Sequence, residues 1–123
     1  MRPYQLVAFC LSAATFSAAD PASNGITVVN HGAFDAYVYV RGSRGHESKR
    51  NGPVHGAGYT HFDHGDLTGK GFQEGESCWM VVDVSGGIHG HESGDNFDFR
   101  QGSFIGSYSL TGGTLNPSWH RLF

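Results

Sequence analysis

A chain of 123 residues has room for one hydrophobic core and not for two, so a single domain is expected. A formal charge of −3, with 8 Lys and Arg against 11 Asp and Glu, excludes the basic surface that nucleic acid or an anionic membrane face demands. The 2 cysteines exclude the dense disulfide framework on which small extracellular domains often depend.

The first nineteen positions read as a secretory signal peptide. Arg2 supplies the basic start, Leu6 to Phe16 the short apolar run, and Ser17-Ala18-Ala19 the small residues of a cleavage site. The run falls well short of the ~20 apolar residues that a membrane span needs. The mature chain is therefore expected to be secreted and to occupy residues 20–123. Cys10 leaves with the signal, so Cys78 stands alone and should lie in the core as a small hydrophobe.

Ile26 to Asn30 is a first short strand, and His31-Gly32 a bend after it. Phe34 to Arg41 has the cleanest alternation: Phe34, Ala36, Val38 and Val40 on one face, Asp35, Tyr37, Tyr39 and Arg41 on the other. Gly42 to Gly58 reads as a long polar loop, and loops of that length are usually functional or mobile. Tyr59 to Asp63 is a weak strand, and His64 to Gly75 is rich in turns, with Leu67 and Phe72 as apolar pins.

Cys78 to Ser85 is the central strand, bounded by Gly75 and Gly86-Gly87. Cys78, Met80, Val82 and Val84 form a wholly apolar face, and Trp79, Val81, Asp83 and Ser85 a mixed one. Asn96 to Arg100 points Phe97 and Phe99 inward, and in Phe104 to Thr111 the side chains Phe104, Tyr108 and Leu110 share a face. Gly112-Gly113 is a hairpin signal, and Pro117 marks the last segment as an edge strand or a break. No segment after Ala19 has a helical period. The expected fold is all-β: a single antiparallel β-sandwich of six to seven short strands.

All 8 histidines follow the cleavage site, with two clusters in loops: His61 with His64, and His89 with His91. Imidazole beside carboxylate suits copper or zinc, so His61, His64, His89 and His91 are the candidate metal ligands if the two loops meet, and the chain would then be a secreted metal-binding protein or a redox enzyme. Against that stands their reading as solvated loop histidines, with no cofactor. Gly90 to Asn96 resembles the copper-ligand strand and turn of the Cu/Zn superoxide dismutases, and His64-Gly65-Asp66-Leu67 resembles their zinc loop. The two pieces run in the reverse of the family's order, and Cys78 has no partner for the family's disulfide.

The paired acids Glu74/Glu76 and Asp63/Asp66 read as solvated turn residues, and no serine or cysteine sits in a nucleophile motif, so no enzymatic activity is expected. The candidate binding residues are Tyr37, Tyr39 and Trp79. If their strands are neighbours, the rings would form a flat patch suited to a sugar or a protein partner.

A signal peptide, a compact mature β domain, and much glycine and aromatic content together resemble the small secreted candidate effectors of plant-pathogenic, rust-type fungi. That resemblance implies a monomeric virulence effector that recognises a host protein or a surface carbohydrate. Ile26 to Asn30 also resembles the first strand of thaumatin-like proteins, and the likeness ends there.

Overall fold

The computed structural model describes residues 20–92 and 94–122. The expected signal peptide and Cys10 lie outside the described residues. The elements run β1 (Ala22–Ser23), β2 (Ile26–Asn30), β3 (Ala36–Gly42), β4 (Asn51–Val54), β5 (Tyr59–Phe62), α1 (His64–Thr68), β6 (Ser77–Val84), β7 (His91–Glu92), β8 (Phe97–Phe99), β9 (Gly106–Gly113) and β10 (Asn116–Arg121). One sheet has the order β1-β8-β6-β3-β4, with β7 also paired to β6. The other has the order β10-β9-β2-β5.

The two sheets face each other across one core. From the first come Ala36, Val38 and Val40 of β3, Cys78, Met80, Val82 and Val84 of β6, and Phe97 and Phe99 of β8. From the second come Ile26, Val28, Phe62, Tyr108, Leu110 and Trp119. Leu67 of α1 and Phe72 after it close one end. These are the inward residues of period-2 alternation, because a pleated strand turns successive side chains to opposite faces. Cys78 is fully buried and unbonded to another sulfur.

The sandwich is mixed, not purely antiparallel. From β1 in one sheet the chain crosses at Asn24-Gly25 to β2 in the other, and β1 joins β8 in parallel and β2 joins β9 in parallel. Ser23 is buried at this crossing, where its hydroxyl accepts from the Gly106 N–H at 2.9 Å and donates to the Gly25 carbonyl. Against the six to seven strands expected, the described residues form ten, the additions being three short strands, and a helix. β4 lies inside the stretch read as a loop and holds a cis Gly52–Pro53 bond. β1 and β7 have two residues each. The five-residue helix α1 starts at a reciprocal capping box, in which the Asp63 carboxylate accepts from the Asp66 N–H and the Asp66 carboxylate from the Asp63 N–H.

Two further expectations are corrected. Phe104 is 90% exposed, because β9 begins only at Gly106. The last hairpin turns at Thr114-Leu115, since Asn116 pairs with Gly113 and Pro117 with Gly112. Gly112 is instead a strand residue at φ +95°, where a Cβ would lie 2.2 Å from the Asn116 carbonyl oxygen. β10 is an edge strand, as Pro117 suggested. No helix among the described residues is long and apolar enough to cross a membrane.

Candidate functional site

β3 and β6 pair antiparallel in continuous register, with Tyr37 opposite Asp83, Tyr39 opposite Val81 and Arg41 opposite Trp79. The apolar halves of both strands point into the core, so these six residues share the outer face of the sheet. Tyr37, Tyr39 and Trp79 are therefore brought together, and each is half-buried.

They do not form a bare platform. The Arg50 guanidinium lies 4.5 Å from the centre of the Tyr37 ring and bonds Asp83 at 2.8 Å. Arg41 lies 5.7 Å from the centre of the Tyr39 ring. It pairs with Glu47 at 2.9 Å and also with Glu92. Glu92 sits opposite Val81 on β7, so the Arg41–Glu92 pair runs from β3 across the outer face of β6. That strap explains why Val81 is fully buried although it points away from the core. The Trp79 indole N–H is enclosed without an acceptor. Desolvation pulls the Arg41 guanidinium down, but the bond to Glu47 and the charges of Tyr39, Glu92 and Glu47 outweigh it and hold the group above its ordinary value.

The chain after β3 folds back along the strand. The Gly42 N–H donates to His46 O at 2.9 Å, Ser48 N–H to Val40 O at 2.8 Å, and Val40 N–H to Ser48 Oγ at 2.8 Å. The stretch read as a long polar loop is thus pinned to β3, and it delivers Glu47, Ser48 and Arg50 beside the tyrosines. Together with Tyr39 and Asp83 they line an open cleft of about 340 Å³. Asp83 is fixed from two sides, by Arg50 and by the Gly90 N–H.

The four candidate metal ligands fall in different surroundings. His61 is exposed on β5, and Phe62 beside it points into the core. His64 opens α1 and tilts over Phe99 at 5.8 Å, with its Nε2 enclosed and unpartnered. His91 lies opposite the inward Val82 and meets Trp119 edge-on at 5.4 Å. His89 lies before β7, not on it, so it shares no strand face with His91. Among the described residues no three His, Cys, Asp or Glu side chains are grouped to hold a metal ion.

One constellation was not foreseen. Glu76, read as a solvated turn acid, is 1% exposed. Its carboxylate accepts from His46 Nδ1 at 2.9 and 3.0 Å, from the Gln73 N–H at 3.0 Å and from the Arg44 N–H at 3.2 Å. Gly42 makes room for it: a Cβ there would sit 2.0 Å from Glu76 Oε2. The His46–Glu76 pair anchors the segment whose next residues, Glu47 and Ser48, form the cleft wall. Cys78 is fully buried, and burial pushes its thiol up to about 12, away from the thiolate form that nucleophilic attack requires.

No family model, curated protein or solved structure shows a significant match to the chain.

Proposed function

We propose that this chain is a secreted module that acts by recognition and not by turnover, serving as a virulence effector directed at a host protein or a surface glycan. The recognition surface is the outer face of β3 and β6 with its adjoining cleft. The observation that carries this reading is the in-register pairing of β3 with β6, which gathers Tyr37, Tyr39 and Trp79 beside Arg41, Arg50, Glu47 and Asp83. Aromatic rings framed by fixed ionic groups combine contact area with directional hydrogen bonding at low entropic cost.

The test uses the mature chain, residues 20–123, incubated with plant cell-wall and apoplastic preparations. Wild-type protein is expected to bind saturably. Tyr39→Ala should weaken binding by roughly tenfold or more if the ring is an anchor, while the far-UV spectrum stays unchanged. Equal binding by wild type and Tyr39→Ala would remove this face from the proposal.

A further inference from the structure

Resting on the reading of the β3–β6 outer face as the recognition surface, we propose that the cleft beside Tyr39 binds a neutral sugar residue. Size, charge and hydrogen-bond pattern support this independently.

The volume of about 340 Å³ is at the small end of ligand sites, which run from ~300 to ~1,000 Å³. That suits one or two rings of a glycan better than a peptide segment. The lining is polar and close to neutral. Within it Arg50 stands against Glu47 and Asp83, and the neighbouring Arg41–Glu92 pair adds no net charge, so a phosphate, sulfate or uronate would meet more negative than positive charge. A lone cation would have to displace arginines already paired to those carboxylates.

A polyhydroxylated ring meets neither obstacle. Its hydroxyls can each donate to a carboxylate and accept from a guanidinium or a phenol. The cleft offers that alternation in Glu47, Arg50, Asp83 and Tyr39. Ser48 contributes little, because its hydroxyl already accepts from the Val40 N–H and donates to Lys49 O. The ring of Tyr39 supplies the apolar surface against which sugar C–H groups stack.

The groups are also held in advance. Arg50 is fixed by Tyr37 and Asp83, Asp83 also by Gly90, and Glu47 by Arg41. Fixed side chains lose little freedom on binding, which favours a ligand that makes many modest hydrogen bonds.

A protein partner is disfavoured at this cleft because Tyr39 is the single aromatic in its lining, with no aliphatic side chain beside it. Among the described residues the large exposed hydrophobics are Tyr59, Phe104, Ile105, Leu115 and Leu122, and none of them lines the cleft.

The experiment titrates the mature chain with neutral cello-, xylo-, manno-, laminari- and chito-oligosaccharides and with acidic oligogalacturonate, by calorimetry. Saturable binding of at least one neutral oligosaccharide, little changed by added salt, is expected. Glu47→Gln and Asp83→Asn keep size and shape, and each should weaken that binding by roughly tenfold, the loss of a hydrogen bond to a charged group. Glu74→Gln, exposed and outside the cleft, should bind as wild type. Three results would overturn the assignment: no neutral oligosaccharide binds, oligogalacturonate binds more tightly, or Glu47→Gln and Asp83→Asn both bind like wild type. If no sugar binds while Tyr39→Ala still abolishes retention on the cell-wall and apoplastic preparations, the recognition face stands and the sugar assignment falls.

Discussion

Replacing Asn30 by alanine should cost more stability than any surface change in this domain. The side chain is fully buried, and its amide donates to Phe34 O at 2.7 Å and to Val54 O at 3.0 Å, while its oxygen accepts from the Gly32 N–H at 2.8 Å. Asn30 belongs to one sheet and Val54 to the other, so one amide ties the layers together. Alanine would strand two carbonyls and an N–H, for a loss of about 2–4 kcal/mol. Urea unfolding of Asn30→Ala against wild type measures it, and an unchanged midpoint would refute the role. Nothing in the sequence marks Asn30 as buried, because its partners are set by how two sheets meet. Glu76 teaches the same lesson more sharply. Glu74 and Glu76 flank one glycine and look alike as letters, yet Glu74 is exposed and Glu76 is sealed. The difference is made by Gly42, His46 and two backbone N–H groups, and only Gln73 among these partners is near in sequence.

Alternation made the long strands legible, since burial on one face writes a period of two into the sequence. Cys78, Met80, Val82 and Val84 all point inward, as do Ala36, Val38 and Val40. Pairing partners were not legible. The parallel contacts of β1 with β8 and β2 with β9 join residues more than seventy positions apart and depend on the crossing at Asn24-Gly25. α1 is too short to show a helical period, but Asp63-x-x-Asp66 is a capping-box signal that periodicity alone overlooks. That box makes a prediction. The bond from the Asp66 N–H is the largest influence on the Asp63 carboxyl and holds it below its ordinary value of 3.8. A lowered folded value means the ionised form stabilises the fold: the contribution is present above pH 3.8 and is lost as pH falls through the folded value. Asp63→Asn keeps an acceptor for the cap and should flatten this part of the acid unfolding curve. Asp63→Ala should lower the melting temperature at neutral pH as well. Identical acid curves for wild type and Asp63→Asn would refute the assignment.

The core as a whole should respond to alkali, because it encloses two groups that resist ionisation. Burial pushes the Cys78 thiol from 9.0 up to about 12, with the nearby charges of Glu76 and Asp98 adding to the effect. Burial also raises the Tyr108 phenol above 10.0, opposed by Arg121. In the unfolded chain both groups ionise at their ordinary values. Above pH 9.0 the unfolded state therefore binds fewer protons than the folded one. The stability is complete below pH 9.0 and is lost as pH rises toward about 12. The slope for one such thiol approaches about 1.4 kcal/mol per pH unit. Between pH 9.0 and 10.0 the thiol leads, since the phenol's ordinary value marks the upper end. Urea midpoints should fall across that interval in wild type and fall less in Cys78→Ala, whose absolute stability is also lower because the sulfur leaves a cavity. The comparison of slopes, not of levels, isolates ionisation from packing. A thiol reagent supplies the second reading: Cys78 should stay unmodified in the folded protein at pH 9.0 and react promptly once urea opens the sandwich. Equal slopes together with rapid modification of the folded protein would mean that the two sheets do not enclose Cys78.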